Sequence, residues 1–395
     1  MKRFRFLPLV LVFAPLLRGL SAAEPPLATV IRESLEFSAA QYTKMLEQAA
    51  GQTGYPRTTD KGKVVYVRSA DWTSGFPAGS LWFLAEATGD AKWRDAAAKF
   101  TAGLEKEKDN KRTHDLGFIL NCSFGNGLRL GGEARYRDIL LTGAASLASR
   151  LNPTVGCIRS WDHGDWKYPV IIDNMMNLEF LLWAAKAGNQ PRFREIAIAH
   201  ADTTLKNHFR PDGSSYHVIG YDPTTGAVTE LHTHQGFAHE SAWARGQAWG
   251  LYGYTMMYRE TRDARYLAQA QKIAGFLLNH PRMPADKVPY WDFDAPGIPN
   301  VPRDASAAAI ICSALYELSD YVDAGVGLRY RTFASAQLRS LASPAYRAKL
   351  GGNGCFLLMH CTGNMPKGSE IDVPLNYGDY YFLEALLRAK AHLGQ

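Results

Sequence analysis

Four aspartates, Asp115, Asp173, Asp304 and Asp379, stand at or near the start of apolar segments that read as helices. Two carboxyl groups that face each other can divide the work of acid and base, because mutual repulsion raises one pKa of the pair. Trp72, Trp161, Trp166, Trp243 and Trp249 lie in neighbouring phrases and offer flat apolar faces for sugar rings. Each feature also has a plainer reading. Aspartate is a favoured N-cap, tryptophan fills cores, and Arg245 is equally a structural ion-pair partner. His232-Thr233-His234 with His239 brings a metal to mind, but H-E-x-x-H is absent and no CxxC pair occurs, so neither a metal nor a cofactor is expected. Gly351-Gly352-Asn353-Gly354 is a turn, since no phosphate-loop lysine follows it. Five cysteines, Cys122, Cys157, Cys312, Cys355 and Cys361, are too few and too odd for a disulfide framework and read as buried, inert thiols.

The elements that must position these residues come from a weak internal repeat. The phrase Gly89-Asp90-Ala91-Lys92-Trp93 returns around Tyr136, Phe193, Tyr266 and Tyr330, at aromatic spacings of 43, 57, 73 and 64 residues. Each copy reads as a helix stop, a turn, and an aromatic opening a new helix. Apolar segments precede the copies: Gly79–Thr88, Asp115–Leu130, Asp173–Ala187, Gly246–Thr261 and Asp304–Ser319, with Gly378–His392 closing the chain. Their apolar residues run all round, as in buried helices, whereas the helix after each phrase is amphipathic. With an N-terminal helix near Val30–Gln48, this predicts an all-α fold, an (α/α)6 barrel of six inner and six outer helices. Strand-like stretches such as Lys63–Val67 are short and isolated. The inner helices of such a barrel are parallel, so their N-termini gather at one mouth, where N–H groups and helix dipoles suit an anionic ligand.

Residues 1–23 read as a signal peptide: a basic Lys2-Arg3-Phe4-Arg5, an apolar run from Phe6 to Leu17, and Ser21-Ala22-Ala23 before Glu24. No Cys lies near that point, so no lipid anchor is expected. Residues 24–395 then form a single barrel domain. The formal charge of +6 falls to +2 without residues 1–23, which leaves no footprint for nucleic acid or an anionic membrane. Export across an inner membrane is expected, with the periplasm favoured over the exterior, and no membrane association after cleavage.

Six phrases, in order, resemble glycoside hydrolase family 88, the unsaturated glucuronyl hydrolases. They are Trp72-Thr73-Ser74-Gly75-Phe76, His114-Asp115-Leu116-Gly117-Phe118, Asp173-Asn174-Met175-Met176-Asn177, the run Ser241–Trp249, Asp304–Ile310, and Tyr377–Leu386. The resemblance implies the same barrel. It also implies a substrate, the C4=C5 unsaturated uronic acid that polysaccharide lyases leave on the non-reducing end of an oligosaccharide. The expected chemistry is hydration of a vinyl ether. An acid protonates C4, water adds at C5, and the hemiketal opens to release the aglycone. The family's general acid/base falls on Asp173 and its helper on Asp115. Its substrate contacts fall on His217, Gln235 and Arg245, the last as partner of the uronate carboxylate. Trp72, Trp243 and Trp249 match aromatic positions around the sugar, and His114 is expected to orient Asp115. Phe76-Pro77-Ala78-Gly79 departs from the family's Phe-Trp-x-Gly, which bears on the leaving-sugar side. His360–Asn364 and Lys367-Gly368-Ser369 lie where the family tunes recognition of sulfated neighbours.

Three other readings compete. An unsaturated rhamnogalacturonyl hydrolase on the same barrel would take pectin fragments, and the phrase at His114–Phe118 argues against it. An inverting glycosidase would need carboxyl groups about 6.5–9.5 Å apart and saturated substrates. A non-catalytic sugar-binding barrel would need aromatics and arginine but no acid pair.

Overall fold

The structure is a computed structural model that describes Met1 and residues 24–394. The expected signal segment lies outside the described residues. Among the described residues, twelve α-helices alternate between an outer and an inner set. The outer set is α1 (Leu27–Ala49), α3 (Ala91–Ala102), α5 (Arg135–Ala148), α7 (Pro191–Asn207), α9 (Ala264–Asn279) and α11 (Ala324–Ala342). The inner set is α2 (Gly75–Thr88), α4 (Asn126–Arg129, led in by a π-helical turn Gly117–Gly125), α6 (Leu178–Ala187, led in by the 3-10 turn Ile172–Asn177), α8 (Ala244–Thr261), α10 (Ala305–Leu318) and α12 (Asn376–His392). Each inner helix packs on the next, and α12 packs back on α2, so the ring closes.

The repeated phrase is the joint between inner and outer helices. Gly89 takes a left-handed conformation, φ 70°, to end α2, and Arg262 takes the same role after α8 at φ 59°. Asp90, Asp263 and Asp323 then cap the outer helices by accepting N–H bonds two residues on. The aromatics Trp93, Tyr136, Phe193, Tyr266 and Tyr330 are all buried and pin each outer helix to the inner ring. Burying one such ring contributes roughly 1.5–3 kcal/mol.

Strands are more numerous than the sequence reading foresaw. Among the described residues, nine short strands form four small sheets: β1 (Tyr55–Asp60) with β2 (Lys63–Val67), β3 (Leu151–Asn152) with β4 (Cys157–Ile158), β5 (Pro169–Ile171), β6 (Val218–Tyr221) and β7 (Val228–His232) together, and β8 (Cys361–Asn364) with β9 (Ser369–Val373). They are lead-ins to inner helices and wall the mouth of the barrel. The β1–β2 hairpin turns on Lys61-Gly62, both at positive φ, the two-residue geometry that matches strand twist.

Residues far apart in the chain complete the ring. Gln41 of α1 donates to the carbonyls of Gly352 and Phe356, and Asn376 donates to those of Pro56 and Thr73. All five cysteines are buried and unpaired. Among the described residues, no helix is long and apolar enough to cross a membrane.

Candidate active site

The four aspartates separate by what they already hold. Asp304 caps α10, accepting the N–H groups of Ser306 and Ala307, and pairs with Arg245 at 2.9 Å. Asp379 accepts the N–H groups of Leu357 and Leu358 at 2.9 and 3.0 Å, tying that segment to α12. Asp115 and Asp173 make no capping bond, although each stands in the lead-in to an inner helix. Both line one 300 Å³ cavity at the mouth. Asp173 is 8% exposed, and its Oδ2 has no hydrogen-bond partner. Asp115 accepts from the Thr113 hydroxyl at 2.6 Å and its side chain is 18% exposed.

Burial pushes both carboxyls up to about 7. At Asp173, Arg245 opposes that rise and the facing Asp115 adds to it; at Asp115, the Thr113 hydrogen bond opposes it. Asp379 is pushed to about 7 by burial as well, so a raised carboxyl is not by itself the mark of the site. The distinguishing feature is that Asp115 and Asp173 line the cavity and neither is spent on capping a helix.

Each member of the pair has a histidine beside it. His217 Nδ1 accepts the backbone N–H groups of His234 and Gln235, both at 3.1 Å. Its proton therefore rides on Nε2, which stands 3.6 Å from Asp173 Oδ2 and has no other partner. Burial holds His217 well below the usual histidine range, so it stays neutral. His114 Nε2 lies 3.2 Å from Asp115 Oδ1, and burial depresses its pKa to about 3.

Arg245 and Gln235 differ from expectation. The Arg245 fork is not presented to the cavity. Nη1 bonds Asp304 and the Thr362 carbonyl, and Nη2 bonds the Gly363 carbonyl at 2.6 Å, leaving the residue 1% exposed with only Nε unpartnered. Gln235 lines the cavity, yet its amide N–H is committed to the Gly363 carbonyl at 3.0 Å. Both side chains thus hold the β8–β9 hairpin over the site. The reason is tertiary: their partners in the hairpin lie more than 100 residues further along the chain. Trp243 stands behind the site, its ring 4.4 Å from that of His217 and beneath the Arg245 guanidinium. Trp249 is buried with an unpartnered indole N–H turned towards Asp173. Trp72 lines the cavity and stacks on Tyr377 at 4.9 Å. Pro77, the departure from the family phrase, is buried in α2 and does not line the cavity; its neighbour Phe76 is wholly buried in the aromatic plug, against Phe118 and Tyr380.

Other cavity residues were not foreseen as such. Arg57 of β1 bonds Glu370 twice, at 2.6 and 2.8 Å, and Asp71 at 2.8 Å, so it anchors the hairpin from the opposite side. His234 lines the cavity, and among the described residues no three metal-type ligands come together. Tyr377 contributes a buried, unpartnered hydroxyl. Its signal was present, since Tyr377 opens one of the six quoted phrases. Arg57 had no signal, because it sits in a strand with no periodic neighbour.

A larger cavity, 660 Å³, opens at the opposite end, among the C-termini of the inner helices. Its charges are paired, Arg129 with Glu86 at 2.7 Å, Arg388 with Glu317 at 2.8 Å, and Glu179 with Arg259. The smaller cavity is therefore the one built for a reaction. Unsatisfied donors on Trp249, His217, Tyr377 and Arg245 surround a carboxyl pair that can hold a proton. Such a site can bind an anion and deliver a proton to it.

No family model matches the chain. Over 353 residues the chain is 49% identical to the unsaturated glucuronyl hydrolase of Formosa agariphila, with 88% of each chain covered. A solved unsaturated glucuronyl hydrolase specific for heparin superposes with a TM-score of 0.90 at 48% identity, over 93% of this chain and 98% of that one. A variant of the Streptococcus agalactiae unsaturated glucuronyl hydrolase, solved in complex with dGlcA-GalNAc6S, superposes with a TM-score of 0.78 at 29% identity, over 91% of this chain and 90% of that one.

Proposed function

The chain belongs to the unsaturated glucuronyl hydrolases of glycoside hydrolase family 88, and from that premise we propose how its own residues divide the reaction. The substrate is a C4=C5 unsaturated uronic acid at the non-reducing end of a lyase-generated glycosaminoglycan oligosaccharide. Asp173, protonated near neutral pH, delivers its proton to C4. Positive charge develops at C5 and the ring oxygen, and the carboxylate so formed, with Asp115 beside it, draws the proton from the water that adds at C5. The hemiketal opens and the aglycone leaves. Positioned proton transfer of this kind contributes about 10²–10⁴-fold.

His217, fixed as the Nε2–H tautomer, and the Trp249 indole N–H act as hydrogen-bond donors at the Asp173 edge. The Tyr377 hydroxyl and Arg245 Nε remain for the uronate carboxylate, with Trp72 beneath the ring. The observation that carries this reading is the pair of aspartates with no capping bond, facing one cavity and both raised to about 7. The test mixes purified protein with unsaturated disaccharides from lyase-digested heparin, chondroitin and hyaluronan, following ultraviolet absorbance of the alkene. Loss of absorbance on these, with saturated disaccharides untouched, is expected. Release of sugar from saturated controls would remove the hydration mechanism.

The N-terminal pattern supports export, and small lyase products as substrates favour the periplasm. Mature protein from a periplasmic fraction should begin at Glu24, and an intact Met1 in that fraction would refute cleavage.

A further inference from the structure

The cavity does not end at its rim. Trp161 lines it, with a buried indole N–H that has no protein partner. From Trp161 a line of rings leads outward. Trp166 follows at 5.4 Å, His232 lies 5.4 Å beyond Trp166, and His239 closes on His232 at 3.8 Å. His163 stacks on Trp161 at 5.6 Å from the solvent side. Trp161, Trp166 and His232 are only half-buried, and His163 and His239 are exposed. A structural plug would turn these rings inward, as Phe76 and Phe118 do. Here they lie along the surface between two loops at the open side of the cavity.

We propose that this ridge is a binding track for sugars beyond the first of the aglycone, so that the protein acts on oligosaccharides longer than disaccharides in preference to disaccharides. The proposal rests on the glucuronyl hydrolase reading above. Aromatic faces pack against the C–H faces of pyranose rings, and imidazole N–H groups donate to the hydroxyl or acidic oxygens at the ring edges. The unsaturated sugar occupies the closed end beside Asp173. Trp161 belongs both to the cavity wall and to the ridge, so the rest of the chain passes across Trp161 and onto Trp166.

The test compares kcat/KM on unsaturated di-, tetra- and hexasaccharides from one lyase digest. The wild type should favour the tetrasaccharide over the disaccharide by about fivefold, the worth of one aromatic contact. In Trp166→Ala the ratio of tetra- to disaccharide should fall close to one. Because the readout is a ratio, a general loss of activity cancels. His163→Ala should lower the same ratio in part, which covers a Trp166 variant that does not fold. Equal turnover of all lengths by the wild type, or a length preference that survives Trp166→Ala, would overturn the track. No turnover of any unsaturated saccharide would instead overturn the underlying reading, and the track with it.

Discussion

At the scale of single residues, the site is a contest between burial and charge. Asp173 has a folded pKa of about 7, above the roughly 3.9 of an unfolded aspartate. Its proton is retained in the fold, so its stabilising effect is complete below the unfolded value and is lost as pH rises through 7. Asp173→Asn should therefore cut kcat by about 10²-fold or more while raising the melting temperature, and the gain should be larger at pH 8 than at pH 5. Calorimetry at the two pH values checks this, and an equal gain at both would contradict the burial argument. The same raised carboxyl predicts that kcat falls above about pH 7. Removing the neighbouring charge in Asp115→Asn should move whatever limb remains to lower pH, because one cause of the rise at Asp173 is gone. A pH–rate profile of the two proteins tests it. The aspartates were legible in the sequence because they sit at predicted helix starts, but capping and catalysis look alike there. Hydrogen bonds told them apart: Asp304 has its backbone partners and Asp173 has none.

At the scale of elements, the approach of α4 to the Asp173 turn sets the spacing of the pair. Gly117 lies so close to that turn that a Cβ would stand 2.6 Å from Asn177 Oδ1 and 2.8 Å from its Cα. Asn177 also accepts the Phe118 N–H at 3.0 Å. Gly117→Ala should push the two lead-ins apart, costing about 1–3 kcal/mol of stability together with a loss in kcat/KM. Gly275→Ala in α9 meets nothing within 4 Å and should be neutral or stabilise by about 0.5–1 kcal/mol with activity unchanged. Melting curves and kinetics of the two variants make the comparison, and an unaffected Gly117→Ala enzyme would show that this approach does not set the spacing. The helices were readable from their repeated joints, where a turn, a capping aspartate and a buried aromatic recur. The strands were not, because two- to six-residue strands at a barrel mouth carry too few alternations to rise above their loops. The roles of Arg57, Gln235 and Arg245 stayed hidden with them, since all three act on the β8–β9 hairpin.

At the scale of the whole molecule, the closed ring seals its interior. Cys122 and Cys312 lie in the inner ring, Cys157, Cys355 and Cys361 in the segments between helices, and all five are buried. A thiol reagent should find essentially none of them in native protein and all five on denaturation. Two or more reacting quickly in the native state would mean the ring opens readily. Closure itself depends on the ends of the fold. Among the described residues, α1 packs on α12, more than 300 residues further along the chain. The cavity is lined from Arg57 to Tyr377. Contacts of such sequence separation form late in folding. During synthesis the chain thus carries every outer helix before it has a reaction centre. A chain whose synthesis halts before α12 has emerged is an unclosed barrel without a reaction centre, so the emergence of that one helix is itself the event that switches the activity on.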